Sequence, residues 1–230
     1  MKSLPLFFNS RFTPYKLFLA IALLAVWIWG AINPVYFDDW LLENYLIFFF
    51  VPVVIWGDWK FKLSDTSLTL ITIFMGLHII GSHYTYGEVP WGFTLQNLVD
   101  GHRNMYDRLV HFLFGFLIAY PLREVLLKMT SIRGNISYFL AVDIVFSWSA
   151  GYEIMEWIAA SLVAPEAGLA FLGLQGDIWD AQKDMLLAGS GAIVAMVTVF
   201  LLRKYDKNNL EKLVWKKTLP GTNQLTGTKA

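Results

Sequence analysis

The sequence predicts an all-α, polytopic membrane protein, a helical bundle of about six transmembrane helices with both termini in the cytoplasm. Hydrophobic residues make up 56% of the chain and charged residues only 16%. Three runs, residues 17–32, 66–83 and 185–202, contain no Asp, Glu, Lys or Arg. With their flanks, these runs reach the roughly 20 apolar residues that cross a bilayer. Lys and Arg are also unevenly distributed along the chain, and their distribution predicts which side of the membrane each loop lies on.

The chain is predicted to consist of a transmembrane domain, in which spans are joined by short and long loops, followed by a polar tail. The first span is expected to be retained, because no small-residue cleavage site follows it. Residues 204–230 form a polar, basic tail that we expect to be disordered and held near anionic lipid by its lysines. The predicted spans lie in a transmembrane domain of residues 1–203, near 15–33, 40–57, 66–84, 106–127, 136–162 and 181–202.

The orientation follows from the Lys and Arg residues, which concentrate on the cytoplasmic side of membrane proteins. With a cytoplasmic N-terminus, all but three of the 18 Lys and Arg residues fall on the inner side. The three outer ones are Arg103, Arg108 and Lys183. Trp56 and Trp59 lie at an inner boundary, as expected of an aromatic belt at the headgroup level. Both termini are therefore predicted to be cytoplasmic.

Two long outer loops, residues 85–105 and 163–180, mix Gly, Pro, aromatic and aliphatic residues. Segments this apolar are expected to lie in the membrane interface or to fold back as lids over the bundle. The chain contains no cysteine. Its absence excludes disulfides, thiolate catalysis and Cys-ligated metal sites.

Ionisable residues are expected to cluster at the outer side of the membrane. All four histidines and most of the Asp and Glu residues fall in outer loops or in the outer half of a span. An ionisable residue inside a span is by default functional, with a partner nearby. Five ionisable residues of this cluster lie inside predicted spans, on four different helices and about 5–13 Å below the outer surface. They are His78, His111, Glu153, Glu156 and Asp184.

The spacing of these residues places several of them on common helical faces. Asp107 and His111 are four residues apart, as are Asp180 and Asp184, and Glu153 and Glu156 are three apart. Carboxylates with imidazole suit divalent metal ions and general acid–base chemistry. The predicted catalytic residues are Asp107, His111, Glu153, Glu156 and Asp184. The predicted ligands of a divalent metal ion (Mg, Mn or Zn) are His78, His111, Glu153, Glu156, Asp180 and Asp184.

Each of these residues also has a structural interpretation. Asp107 could mark a helix N-terminus, where the helix dipole favours an acidic residue. Glu153 and Glu156 could bond to neighbouring Trp or Tyr residues. His78 could be a core histidine that donates to a carbonyl oxygen.

Two other groups are expected to be structural. His83, with Tyr84 and Tyr86, is expected to form an interfacial aromatic girdle. Gly189 and Gly191 on the last span are expected to form a surface for close helix packing in lipid.

Four segments are characteristic: GSHYTYGEVP (81–90), YDRLVHFLFGF (106–116), YEIMEW (152–157) and GDIWDAQKDMLLAGSGA (176–192). With them, most of residues 15–202 resembles the YjdF family of bacterial inner-membrane proteins, a domain of unknown function. The resemblance implies a multi-pass protein of the bacterial inner membrane.

A looser resemblance rests on three features: Asp107 one turn before His111, a later Glu153 or Glu156, and Asp184 followed by two glycines. These features are similar to the pattern of VanZ-like membrane proteins. In that family a Lys follows the first Asp and an Asn stands in the last motif, where this chain has Arg and Ala. The resemblance implies a shared helical core and leaves the reaction open.

Three functions remain open at this point. The first is an enzyme that works from the outer leaflet on a phosphate or ester of a lipid or lipid-linked envelope substrate. The second is a carrier for cations, protons or a small solute, with Asp143 continuing a path inward, although no internal repeat is visible. The third is a non-catalytic assembly protein whose polar cluster holds the bundle together. The bilayer and a lipid-linked substrate are the expected partners, and no nucleic acid is expected.

Overall fold

The computed structural model describes residues 13–99, 101–162 and 175–205. Within these ranges the secondary structure is entirely helical. The helices, in chain order, are α1 (Pro14–Gly30), α2 (Phe37–Phe61), α3 (Asp65–His83), α4 (Pro90–Leu98), α5 (Tyr106–Met129), α6 (Ile136–Leu162) and α7 (Asp180–Tyr205).

Four of these helices, α2, α3, α5 and α7, are long and apolar enough to cross a membrane. Helix α1 is apolar but shorter, with 17 residues. Helix α6 has 27 residues, but Asp143, Glu153 and Glu156 interrupt its apolar character. The chain is therefore an all-α polytopic membrane protein, as predicted. The cytoplasmic location of the termini stays a prediction, and residues 206–230 of the predicted tail lie outside the described ranges.

The starts of α1 and α3 are set by hydroxyl caps. The Thr13 hydroxyl accepts a hydrogen bond from the Lys16 backbone N–H at 3.2 Å, and Pro14 occupies the first helical position. The Ser64 hydroxyl accepts from the Ser67 backbone N–H at 3.1 Å. Each cap satisfies a donor that has no partner inside its own helix, so these two helices begin at defined residues.

Helix α5 lies at the centre of the bundle, packed against α3, α6 and α7. Its approach to α7 is so close that only glycine fits at the contact. A Cβ atom at Gly115 would lie 1.8 Å from the Ala188 carbonyl oxygen, and one at Gly191 would lie 2.0 Å from the Phe112 carbonyl oxygen. The close-packing role predicted for Gly191 is thus confirmed.

A core of small side chains joins α5, α6 and α7. Gly189 contributes to it against α6, where a Cβ atom would lie 2.9 Å from the Phe146 ring. Because lipid tails are as apolar as these side chains, close packing rather than removal from water holds the three helices together. The buried members are Ala119, Ala141, Val145, Ala188, Ala192, Ala195 and Met196.

One buried carboxylate ties the start of α3 to α5 at the predicted inner side. Glu124 accepts hydrogen bonds from the Ser64 backbone N–H at 2.9 Å, the Ser64 hydroxyl at 2.7 Å and the Ser67 hydroxyl. Lys128 donates to the same carboxylate at 2.5 Å and to the Lys62 carbonyl at 2.8 Å. Both carboxylate oxygens are paired, so Glu124 has a structural role.

The predicted outer loop of residues 85–105, described except for residue 100, folds back onto the bundle, which is one of the two arrangements predicted for it. It contains α4, and Val89 is fully buried. The Asn104 side-chain amide donates to the Val89 carbonyl oxygen at 2.9 Å and so closes the loop on itself. Of the second predicted loop, residues 163–174 lie outside the described ranges.

Candidate functional site

Three of the predicted site residues meet where α5 and α7 cross, at the predicted outer side. Asp107 and His111 lie one turn apart on α5, and Asp184 lies on α7. One possible ligand atom from each residue lies within 4.8 Å of the other two. The glycine contacts at Gly115 and Gly191 hold the two helices at this distance. Two carboxylates and an imidazole on two packed helices form a donor set that suits a borderline divalent metal ion.

Two arginines hold the aspartates of this group in place. An Arg108 guanidinium nitrogen lies 2.6 Å from Asp184 Oδ2, and one from Arg103 lies 3.1 Å from Asp107 Oδ2. The second oxygen of Asp184, Oδ1, is buried and has no hydrogen-bond partner among the described residues. A carboxylate with one oxygen fixed and the other unpaired resembles a metal ligand that is oriented by its neighbours.

Asp180, a predicted ligand, lies outside this group of three and bonds to the arginines instead. Arg108 lies 2.5 Å from Asp180 Oδ1, and Arg103 donates to the same oxygen. Arg108 also reaches Asp177 Oδ2 at 3.0 Å. The hydrogen bond from Lys183 holds the pKa of Asp177 below its usual range. In this arrangement Asp177 and Asp180 balance the charge of the arginines.

Glu153 extends the group of three from α6. Its Oε1 atom lies 3.8 Å from His111 Nδ1, while His111 Nε2 lies 3.5 Å from Asp107 Oδ1. The imidazole therefore has a carboxylate beside each ring nitrogen. Glu153 Oε1 is also buried without a hydrogen-bond partner in the part of the chain that is described. Its position allows it to act as a fourth ligand or as a proton acceptor.

A second polar group adjoins the first. The Tyr152 hydroxyl on α6 donates to Glu43 Oε2 on α2 at 3.1 Å, and the Tyr152 ring centroid lies 6.3 Å from that of His111. Glu43 is buried, with only 7% of its surface exposed. Glu156 interacts electrostatically with Glu43 and Glu153. The predicted residue Glu156 thus belongs to this second group.

His78, another predicted ligand, is hydrogen bonded through both ring nitrogens. Its Nε2 atom lies 3.1 Å from the Glu43 carbonyl oxygen, which can only accept, so Nε2 carries a proton. The Tyr86 hydroxyl lies 2.5 Å from Nδ1 and donates to it in the neutral ring. Burial raises the pKa of the Tyr86 phenol well above its usual range, so the phenol keeps its proton. These contacts match the structural interpretation of His78 as a core histidine.

Three residues in or beside the second group are not among the predicted site residues: Glu43 and Tyr152, which belong to it, and Tyr86, which reaches it through His78. Glu43 carries a detectable signal, because it is an acidic residue inside an otherwise apolar span. Tyr86 is expected in the aromatic girdle with His83, but its ring turns inward over Gly81, where a Cβ atom would lie 2.6 Å from it. The ring of His83 stays against a tryptophan, with centroids 4.6 Å apart.

Comparison with known proteins gives two matches. The family described as a predicted membrane protein (DUF2238) matches residues 15–205 of the chain. The inner membrane protein YjdF of Escherichia coli (strain K12) is 34% identical over 174 residues, which cover 75% of this chain and 81% of that protein. No solved structure matches the chain. The range that the family matches includes every site residue described above. The resemblance to VanZ-like proteins stays a prediction.

Proposed function

This chain belongs to the DUF2238 family of membrane proteins and is a multi-pass protein of the bacterial inner membrane; on that premise, we propose that it is an enzyme dependent on a divalent metal ion. Its substrate is a lipid or lipid-linked envelope precursor, and its reaction is hydrolysis or transfer at a phosphate or ester. The observation that carries the proposal is the convergence of Asp107, His111 and Asp184 within 4.8 Å on two packed helices.

The residues around this point divide into three roles. Asp107, His111 and Asp184 hold the metal ion, which when bound polarises the reacting oxygen or acidifies a water molecule. Arg108 orients Asp184 by pairing with one of its carboxylate oxygens. Glu153 is placed to accept a proton, because its unpaired oxygen lies beside His111.

The donor types favour some metal ions over others. Magnesium prefers an octahedral shell of oxygen atoms and several waters. Zinc and manganese accept imidazole together with carboxylates. Because His111 contributes an imidazole nitrogen to the group, Zn and Mn fit it better than Mg.

A carrier for cations or protons would need polar groups that continue below the site. Asp143, expected to extend such a path, is exposed on α6 instead of facing the bundle interior. The space below His78, between α2 and α5, is lined by aliphatic and aromatic side chains. These observations favour an enzyme over a carrier.

Elemental mass spectrometry of the detergent-purified protein tests the proposal. Wild type, purified through a tag without histidine and supplied with Zn or Mn, is expected to retain about one ion per chain. His111→Ala and Asp184→Asn are expected to lose it, because each removes a ligand. His102→Ala, which removes an exposed histidine, is the matched control and is expected to retain the ion.

Two results would count against the enzyme. If folded wild type binds no metal after Zn, Mn and Mg are each supplied, the metal-dependent reaction is wrong, and the polar cluster is a structural network. If His111→Ala and Asp184→Asn both keep the wild-type metal content, the ion binds elsewhere.

A further inference from the structure

The two polar groups described above together form a polar site. An apolar groove runs from this polar site between α2 and α5, with α3 as its floor. Its volume is about 240 Å³. It runs from Leu46 and Phe114 at the upper end to Phe61 and Met129 at the lower end. His78 is its most polar lining residue, and both nitrogens of that ring are already hydrogen bonded. Along its length, the groove therefore offers a ligand apolar contacts and no hydrogen bonds.

Both helices that form the walls repeat one pattern. On α2, Glu43 of the polar site is followed at helical spacing by Ile47 and Phe50, which line the groove. On α5, His111 of the polar site is followed in the same way by Phe114. Each wall thus has a polar residue at its outer end and an apolar stripe below. A molecule with a polar head and a hydrocarbon chain matches this order.

The groove opens sideways onto the bilayer. Val53 and Trp148 in its lining are 38% and 42% exposed, whereas Met75 and Ile47 deeper in the groove are 6% and 5% exposed. An apolar cavity of this kind stays free of water. Because the surrounding medium is lipid, hydrocarbon is the material available to fill it.

The length of the groove decides between two kinds of hydrocarbon. The fifteen-residue step from Leu46 to Phe61 on α2 corresponds to about 22 Å at 1.5 Å per residue. One leaflet contributes only about 15 Å of the roughly 30 Å hydrocarbon core. An acyl chain of an outer-leaflet phospholipid would therefore fill only the upper part, whereas a longer chain can follow the groove past the midplane.

We propose that the groove binds the polyprenyl chain of a lipid-linked substrate, with the phosphate end at the polar site beside Glu43 and His111. The identity of the reacting end rests on the proposed function. The position of the chain rests on the groove alone. Aromatic side chains along the walls, among them Phe50 and Phe114, give an unsaturated, branched chain a close fit.

Photo-crosslinking tests the occupant. Wild type is placed in phospholipid nanodiscs with a polyprenyl phosphate that carries a photoactivatable group in its chain, and the labelled residues are mapped by mass spectrometry. We expect label on Val54 and Ile118, both of which line the groove. Unlabelled polyprenyl phosphate is expected to compete, and added phospholipid is not.

A glycine in the groove provides the decisive variant. Gly57 lines the groove, and a Cβ atom there would meet nothing within 4 Å, so Gly57→Phe fills the space without a backbone clash. We expect it to lower labelling about tenfold, because it displaces several methylene groups of the ligand. Gly76→Phe is the matched control on α3: its Cβ position is equally open, and it lies outside the groove lining. Ile118→Trp narrows the opposite wall and is expected to act like Gly57→Phe.

The outcomes separate the groove from the metal site. His111→Ala is expected to lose the metal ion and to keep the groove label. Folded wild type that binds no metal but is still labelled would contradict the enzyme and leave the groove in place. Equal labelling of wild type and Gly57→Phe, with both proteins monodisperse, would overturn the groove. Competition by phospholipid as strong as that by polyprenyl phosphate would overturn the polyprenyl assignment.

Discussion

Gly191→Ala is expected to push α7 away from α5 and to weaken both the fold and the candidate metal site. The added Cβ atom would lie 2.0 Å from the Phe112 carbonyl oxygen, a backbone atom that cannot rotate away. Overpacking of this kind costs about 1–3 kcal/mol and sometimes more. Gly115→Ala, on the facing helix and 1.8 Å from the Ala188 carbonyl oxygen, is expected to have the same effect. Equilibrium unfolding in mixed detergent micelles measures the loss.

The same displacement acts on the metal ligands. Asp107 and His111 lie on α5 and Asp184 lies on α7, so separating the helices widens a gap that is now at most 4.8 Å. A metal ion tolerates little change in the distances to its ligands. We expect a loss of metal affinity on the order of 100-fold, measured by competition with a chromophoric chelator.

Gly76→Ala is the control for both measurements. A Cβ atom at this position on α3 would meet nothing within 4 Å, and alanine favours the helix over glycine. Its free energy of unfolding is expected to stay within about 1 kcal/mol of wild type. If Gly191→Ala unfolds like Gly76→Ala, the close contact between α5 and α7 does not exist. If it is destabilised but binds metal normally, the crossing does not position the ligands.

The helices could be predicted from the apolar runs because a bilayer allows the backbone few conformations. Every N–H and C=O group inside the hydrocarbon must be paired within the segment, so an apolar run of sufficient length becomes a helix. The run at residues 66–83 becomes α3, and the run at 185–202 becomes most of α7. The limits of α2 extend beyond the predicted span, because its first and last turns carry charged residues such as Asp38 and Lys60.

Pairing between helices is harder to predict than their positions. His111 and Asp184 could be assigned to the outer half of their spans, but their proximity depends on the register of two helices. That register is set by Gly115 and Gly191, which no pattern within a single helix relates to each other. The inward turn of Tyr86 is likewise a tertiary effect, since it needs the space above Gly81.

The spacing rule worked best where partners share a helix. Asp107 and His111, four residues apart on α5, do contact each other, with 3.5 Å between Oδ1 and Nε2. The rule is less informative for Asp180 and Asp184. They share a face of α7, but Arg108 from α5 binds Asp180 as well as Asp184. A sequence pattern identifies the acidic residues without showing which of them the arginines neutralise.

Arg108→Met is expected to be the most destabilising change at the candidate site. The guanidinium lies 2.5 Å from Asp180 and 2.6 Å from Asp184, and all three residues are buried. Removing one partner from a buried ionic group leaves uncompensated charge and costs about 3–5 kcal/mol. Methionine keeps much of the length of the side chain, so the loss reports charge more than volume.

A bound metal ion is expected to offset part of this loss. With Arg108 absent, the Asp184 carboxylate loses its arginine partner and has more need of another cation. A ligand that binds the folded state stabilises it by mass action. Zinc or manganese should therefore raise the unfolding midpoint of Arg108→Met by more than it raises that of wild type. An equal rise would place the metal outside this group of carboxylates.

Lys183→Met is the matched control, because Lys183 also pairs with an aspartate of the same segment. Its side chain is 52% exposed, and an exposed ion pair is screened by solvent and adds little to stability. We therefore expect Lys183→Met to unfold close to wild type and Arg108→Met far below it. Adding Asp184→Asn to Arg108→Met should recover part of the loss, since it neutralises the carboxylate that Arg108 pairs with. If the two single variants unfold alike, the arginine does not hold α5 to α7, and the aspartates must be neutralised by another route.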